Sequence, residues 1–209
     1  MKCNFSSLFR IVASVFLGVI LLSFTLCSAN KDVLADMYNN PGRYITYGYV
    51  GTGSMVMIDR DSLNVHLYNP PYYIIAVNSV LHYSSGRLDN VEPPESVRVR
   101  DNATVRYRYD YTQKKIYIER YDYQSGKKSW ELIETKPKDT STASGWQPTM
   151  SGAEIAFYLA YGIPFYAPPI GSYAKEFIVE GISYLPLLRL SGKGRHYYDH
   201  RNKKIIIVK

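Results

Sequence analysis

The sequence predicts an α+β protein that is mainly β, with an antiparallel meandering sheet and one buried helix packed on a face of that sheet. Tyrosine is abundant, with 21 Tyr against 7 Phe and 2 Trp in 209 residues, and Tyr suits half-buried strands because its ring packs while its hydroxyl reaches water. Segments of period-two alternation are separated by turn clusters. One apolar run is bounded by helix start and stop signals.

The first 29 residues have the three parts of a signal peptide. Lys2 and Arg10 give a positive start, residues 11–26 are almost wholly apolar, and small residues precede Asn30. This pattern predicts cleavage between Ala29 and Asn30. The apolar run of about 16 residues is shorter than the roughly 20 that span a bilayer. We therefore expect export to the periplasm, the extracellular space or the cell surface, with no membrane span after cleavage.

Two alternatives for the leader stay open. In the first alternative, the leader is retained as a membrane anchor. In the second, Cys27 is the lipidated residue of a lipoprotein. Leu26 stands against the second, because a lipobox takes Gly, Ala or Ser at that place.

Both cysteines, Cys3 and Cys27, lie in the leader, so the mature chain of residues 30–209 has no disulfide. It is long enough to hold itself by core burial, since a domain of this size buries roughly 70% of its unfolded surface. We predict a single secreted β-rich domain. The formal net charge of +7 falls by two when Lys2 and Arg10 are removed. A mildly basic exported chain favours anionic envelope polymers over nucleic acid.

The first half of the mature chain is predicted to alternate strands and turns after a short helix at 32–38. Clusters of Asn, Pro, Gly and Asp supply the breaks. The predicted order is a turn at 39–42, two strands or one bulged strand within 43–58, a turn at 59–62, a strand at 63–68, a break at 69–71, a central strand at 72–83 and a loop at 84–96.

An arginine-rich hairpin follows. Val97–Arg100 and Val105–Tyr109 alternate apolar residues with Arg, and residues 116–118 return. Period-two alternation predicts that one face carries four arginines, namely Arg98, Arg100, Arg106 and Arg108. Guanidinium groups bind phosphate or carboxylate in bidentate fashion, so this face is the candidate site for teichoic acid, lipopolysaccharide or the acidic strip of a partner protein. The alternative is a solvated face whose charges discourage edge pairing.

The turn of that hairpin recurs at the C-terminus. Tyr109–Glu119 aligns without gaps to Tyr198–Val208, with identity at the Tyr, the Asp, both Lys and two Ile positions. The repeat predicts a second hairpin in which Asp caps the turn backbone.

Residues 136–150 are predicted to be a polar connector. Ser151 and Glu154 then have the spacing of a capping box, and the apolar run 155–161 ends at Gly162. We predict a helix here, buried against the sheet. Residues 163–194 stay ambiguous, with 175–184 either strand or helix.

Catalytic and metal motifs are weak. His196, Asp199 and His200 suggest a metal site, but in a strand residues four apart lie roughly 13 Å from each other. A thiol and a Gly-x-Ser-x-Gly elbow are both missing from the mature sequence. Paired carboxylates for glycoside cleavage stay open among Glu119, Asp122, Glu131 and Glu134. We expect no cofactor, no metal and no enzymatic activity.

Several turn motifs resemble those of the surface-adhesin protein E family of bacterial envelope proteins, over roughly residues 45–135. The matching positions are Ile58, Asp59 and Ser62, a Tyr-x-Tyr-Asp hairpin, and Tyr121, Asp122 and Gly126 leading to Trp130 and Ile133. The resemblance implies an antiparallel sheet with a helix on one face, and a non-enzymatic protein that binds host or matrix proteins. It implies no particular binding residue.

We therefore predict an exported, non-enzymatic protein with an adhesin-like or binding role through a Tyr/Arg-rich sheet surface. The alternatives are a hydrolase of cell-wall polymers, an inhibitor of such a hydrolase, or a structural subunit of an envelope assembly. The partner would be an anionic glycopolymer or a protein.

Overall fold

The computed structural model describes residues 36–37, 39–50, 54–84, 97–135, 143–185 and 195–208. Of the described residues, 54% are in strands and 20% in helices, so the predicted fold class, mainly β with a helix on one face, is confirmed. The leader and its cleavage point lie outside the described residues.

The larger sheet has six strands in the order of the chain, and every neighbouring pair is antiparallel. It is a meander, as the sequence predicts. Its strands are β1 (Tyr44–Val50), β2 (Ser54–Asn69), β3 (Tyr72–Ser84), β4 (Val97–Asp110), β5 (Lys115–Asp122) and β6 (Lys127–Leu132).

The smaller sheet has three antiparallel strands, also in chain order: β7 (Ile182–Tyr184), β8 (Arg195–Asp199) and β9 (Lys204–Val208). The predicted C-terminal strand pair is therefore confirmed. A hydrogen bond of 2.7 Å from the Thr46 hydroxyl to the carbonyl of Tyr184 joins β7 to β1 of the larger sheet.

The helical elements are α1 (Ala143–Tyr161) and α2 (Ser172–Lys175), and α2 runs directly into a π-helical segment, Glu176–Glu180. The predicted end of α1 is confirmed. Gly162 has a φ of 70°, and its N–H donates to the Tyr158 carbonyl at 2.8 Å. Gly adopts this left-handed conformation without steric cost, which is why helices commonly end on it.

The predicted start of α1 is wrong. Residues 143–150 of the expected connector are helical, and Ser151 is buried within the helix rather than capping it. The Glu154 carboxylate accepts hydrogen bonds from the backbone N–H groups of Ile170 at 2.8 Å and Gly171 at 2.7 Å. Met150, within the expected connector, is fully buried in the core, and helices in proteins gain most of their stability from such tertiary contacts.

The main core lies between α1 and one face of the larger sheet. Phe157 is at its centre, with its ring centroid 5.0 Å from that of Tyr109 and 5.1 Å from that of Phe165. The Tyr109 hydroxyl donates to the carbonyl of Ala153 at 2.8 Å, which satisfies a polar group inside the core. The sheet contributes mainly Ile, Val and Tyr, including Ile45, Ile58, Ile75, Val77, Tyr107, Ile116 and Ile118.

The opposite face of the sheet carries a second, smaller core near β1 and β2. It is formed by Met37, Tyr44, Met57 and Val80. Of the short helix predicted at 32–38, the described residues 36 and 37 are helical, and so is Asn39, which the sequence predicts to begin a turn.

The turn predicted at 59–62 is wrong, because β2 continues through it. Pairing with β3 passes from Asp59 to Asn64, so the intervening residues form a bulge. The Ser62 hydroxyl donates to the Asp59 carbonyl at 2.6 Å and accepts from the N–H of Asn78 at 2.7 Å. Local hydrogen bonds typical of a turn are present, but they bend the strand without reversing it. The segment 43–58 forms two strands, β1 and the start of β2.

Three hairpin turns share one arrangement, in Tyr109–Lys115, Tyr121–Lys127 and Tyr198–Lys204. Each begins with Tyr-Asp at a strand end, and a Lys starts the return strand. The predicted repeat of the hairpin is therefore confirmed, and the structure adds a third copy.

The Asp side chain caps each turn by accepting from a backbone N–H. The donor is three residues on in the Asp110 and Asp199 turns and two residues on in the Asp122 turn. The Oδ1 atom of the Asp accepts this bond at 2.9 Å in the Asp110 and Asp122 turns, and at 3.0 Å in the Asp199 turn. The sixth residue has positive φ in every copy: 52° at Lys114, 67° at Gly126 and 51° at Lys203. Two turns therefore place a lysine in a conformation that favours glycine.

Candidate functional site

The face of the larger sheet opposite α1 carries a continuous row of side-chain positions across five strands. The backbone register pairs Leu67 with Ile74, Ile74 with Arg108, Arg108 with Tyr117, and Tyr117 with Leu132. We call these five residues the Arg108 row. Leu67 and Leu132 at its ends are 38% and 37% exposed, so the row reaches solvent.

The Arg108 guanidinium is held by aromatic rings. Its central carbon lies 4.3 Å from the ring centroid of Tyr117 and 5.2 Å from that of Trp130. Both distances are within the roughly 6 Å reach of a cation–π interaction. None of the ion pairs among the described residues includes Arg108. The rings fix the position of the charge and leave it without a carboxylate partner in that part of the chain.

Arg106, two residues earlier on β4, is paired differently. Its Nη1 atom lies 2.9 Å from Oε2 of Glu119, and the same oxygen accepts from Lys128 Nζ at 3.1 Å. Burial alone would raise the pKa of Glu119, but the hydrogen bonds from Lys128 and Arg106 outweigh it and lower that pKa. Arg106, Arg108 and Lys128 carry three positive charges and Glu119 one negative charge. This patch is therefore positive by two charges.

The backbone register does not carry this face as far as Arg98. The register pairs Leu81 with Asp101 and His82 with Val99, which leaves Arg100 as an inserted residue in β4. A one-residue insertion shifts the alternation. Arg98 thus takes a register position on the face opposite to that of Arg106 and Arg108. The prediction that all four arginines share one face is wrong for this reason. The side chains of Arg98 and Arg100 are outside the described part of the structure.

Of the residues considered for metal binding, Asp199 and His200 belong to the C-terminal repeated turn, Tyr198–Lys204. Asp199 accepts from Asn202 Nδ2 at 2.7 Å and from the Arg201 N–H at 3.0 Å. His196 lies on β8, and His200 begins the turn. In the described ranges, no group of three His, Cys, Asp or Glu residues is placed to hold a metal ion.

Sequence reasoning missed a Ser–His pair. Ser183 Oγ and His200 Nε2 are 2.7 Å apart. Ser183 is only 2% exposed, and burial together with the charge of Arg60 lowers the pKa of His200 to about 4. A hydroxyl hidden in this way is not accessible to a substrate. The pair links β7 to the turn after β8.

The carboxylates considered for glycoside cleavage are held by other groups. Glu119 is paired as described above, and Asp122 caps its turn. Glu131 Oε2 lies 3.0 Å from Arg120 Nε. These contacts balance the basic residues of the hairpins.

A cluster of tyrosine rings lies at the end of the sheet where β2 and β3 meet α1. The ring centroids of Tyr68, Tyr73 and Tyr161 are 5.1–5.9 Å apart. Tyr68 is 67% exposed and Tyr72 is 48% exposed. Exposed rings of this kind belong to a Tyr-rich surface, although the sequence did not indicate which rings would be exposed.

The fold and the site thus define a mainly β protein, with a six-stranded antiparallel meander, one covering helix and a basic aromatic surface. Comparison of the chain with protein-family models, with curated proteins and with solved structures found no match. The resemblance to the surface-adhesin protein E family therefore stays a prediction. Among the described helices, none has the length and apolar character needed to cross a bilayer.

Proposed function

We propose that this chain is an exported, non-enzymatic binding protein that recognises an anionic ligand, in the first place an anionic envelope glycopolymer, at the Arg108 row. The observation that carries the proposal is the Arg108 guanidinium, held against Tyr117 and Trp130 without a carboxylate partner among the described residues. The resemblance to the surface-adhesin family supports a binding role, and the leader supports export.

The chemistry of the row suits a charged polysaccharide. Arg stays protonated at any physiological pH and presents several donors in a fixed plane, which matches phosphate and carboxylate groups. The exposed side chains of Leu67 and Leu132 give the two ends of the row an apolar surface on which a sugar ring can pack. Lys128 adds positive charge at the side.

The test is binding of the purified mature chain to an anionic glycopolymer, with Arg108→Gln as the variant. A hydrogen bond to a charged group is worth about 1.5–3 kcal/mol, so we expect affinity to fall about tenfold or more. Arg120→Gln is the matched control. Arg120 lies on the neighbouring strand and is exposed, but its pairing register with Ser129 places it on the other face.

We expect Arg120→Gln to bind within about twofold of the parent, because surface ion pairs contribute little. Unchanged affinity in Arg108→Gln would contradict the proposal, and so would an equal loss in Arg120→Gln. A neutral glycopolymer that binds as well as the anionic one would also contradict it.

A further inference from the structure

A second group of tyrosines lies where β1, α2 and β7 meet. The ring centroids of Tyr49 and Tyr173 are 5.9 Å apart, those of Tyr49 and Tyr184 are 5.9 Å apart, and those of Tyr173 and Tyr184 are 6.0 Å apart. We call these residues the Tyr triangle. The planes of the rings are inclined to one another by 50–76°, so the rings are not stacked.

The positions of the three rings are fixed by the surrounding structure. The Thr46 hydroxyl ties β1 to β7 at Tyr184, and the Tyr197 ring packs 4.8 Å from the Tyr184 ring. Tyr49 is 36% exposed, and Tyr173 and Tyr184 are half-buried. The triangle is therefore firmly built and reaches solvent at Tyr49.

A carboxylate follows Tyr173 by three residues on the same helical stretch, a spacing that makes the two side chains neighbours on the helix surface. Glu176 is the first residue of the π-helical segment and is half-buried. Burial raises the pKa of Tyr49, Tyr173 and Tyr184, and the negative charge of Glu176 contributes to each increase. None of the ion pairs among the described residues involves Glu176. Single turns of π-helix are frequent at functional sites.

We propose that the Tyr triangle and Glu176 form a binding site for an organic cation that carries a methylated ammonium group. Aromatic faces attract cations, and quaternary ammonium groups are recognised by such rings. The three centroids are 5.9–6.0 Å apart, so a single cation can lie within the roughly 6 Å reach of all three rings.

The class of cation follows from the donors and acceptors at the site. A quaternary ammonium group has no N–H to satisfy and spreads its charge over methyl groups, which pack on tyrosine faces. Glu176 provides the opposite charge at one side. The negative charge of Glu176 also disfavours an anion at this site. This preference distinguishes the site from the Arg108 row.

The test is titration of the purified mature chain with choline and with its neutral isostere, 3,3-dimethylbutan-1-ol, followed by NMR shifts of the tyrosine rings. We expect saturable choline binding. The neutral compound should bind at least about fivefold more weakly, because only choline carries the charge that the rings and Glu176 attract. Equal binding of the two compounds would overturn the proposal, and so would the absence of saturable choline binding at about 50 mM, a concentration well above typical weak-site affinities.

Two carboxylate variants test the role of Glu176. Glu176→Gln should weaken choline binding about fivefold, whereas Glu180→Gln, on the exposed end of the same segment, should change it by less than about twofold. An equal loss in both variants would show a general charge effect and would contradict the proposal. Tyr49→Leu should also lose choline binding. If that variant does not fold, the comparison of choline with its isostere on the parent chain decides the matter.

The source of the cation is separated by a vesicle experiment. Binding of choline together with phosphatidylcholine vesicles would indicate a lipid headgroup, and binding of choline alone would indicate a free solute. Either result supports the site. Because Arg108→Gln leaves the Tyr triangle intact, it should not change choline affinity, so the two sites can fail independently.

Discussion

The buried carboxylate of Glu154 should make stability depend on pH. Glu154 lies on α1 and is fully buried. Burial raises its pKa to about 7, although the N–H groups of Gly171 and Ile170 act in the opposite direction. Tyr109 and Tyr166 are the titratable neighbours that feel its charge, and tyrosines stay neutral below about pH 9.

The sign and size of the effect follow from the difference between the folded and unfolded pKa values. The unfolded carboxyl has a pKa near 4.5 and the folded one near 7. The stability that Glu154 contributes is therefore complete below pH 4.5 and is lost as pH rises through 7. A difference of 2.5 pKa units corresponds to a loss on the order of 3 kcal/mol.

The assay is urea unfolding of the parent and of Glu154→Gln between pH 4.5 and 8.5. The difference in unfolding free energy between the two proteins isolates Glu154, because other titrating groups cancel. As pH rises, we expect the unfolding free energy of the parent to fall by about 3 kcal/mol relative to that of Glu154→Gln. A difference that stays constant with pH would refute the reasoning.

Two further predictions concern stability. Burial lowers the pKa of His82 to about 4, so the stability that neutral His82 contributes is complete above pH 6.5 and is lost as pH falls through 4. His82→Leu should therefore flatten the acid limb of a plot of unfolding free energy against pH. An unchanged acid limb would contradict this prediction. Lys203 has a φ of 51°, so Lys203→Gly should stabilise the chain by about 1 kcal/mol in urea unfolding, whereas Lys203→Ala, which keeps the strain, should not. Equal effects of the two substitutions would show that the left-handed backbone is not the cause.

Features set by local sequence were predicted well. The hairpin turns depend on a few neighbouring residues, with Asp110 and Asp199 capping the backbone and a Lys starting the return strand. The end of α1 is equally local, because Gly162 supplies the left-handed residue. Alternation in β4 likewise separates Tyr107 and Tyr109 from Arg106 and Arg108, and both tyrosines are buried in the core.

Features set by distant partners were missed. Ser151 and Glu154 have the spacing of a cap, but Glu154 binds amides at Ile170 and Gly171, which lie beyond the end of the helix. Arg98 and Arg106 were placed together by alternation alone, and one inserted residue reversed that relation.

The candidate site was predicted in part for the same reason. Arg106 and Arg108 follow from alternation within one strand. The rings that hold Arg108 come from β5 and β6, so their contribution depends on the register between strands. The Tyr triangle draws on three elements that are far apart in the sequence, and no local pattern marks it.

The central claim is that Arg108 meets a negatively charged ligand, and the salt dependence of binding measures this most directly. Affinity for an anionic glycopolymer would be followed from low to physiological ionic strength for the parent, Arg108→Gln and Arg120→Gln. We expect the parent and Arg120→Gln to weaken steeply with salt, and Arg108→Gln to bind more weakly with a shallower dependence. Identical salt dependence in all three proteins would contradict the account.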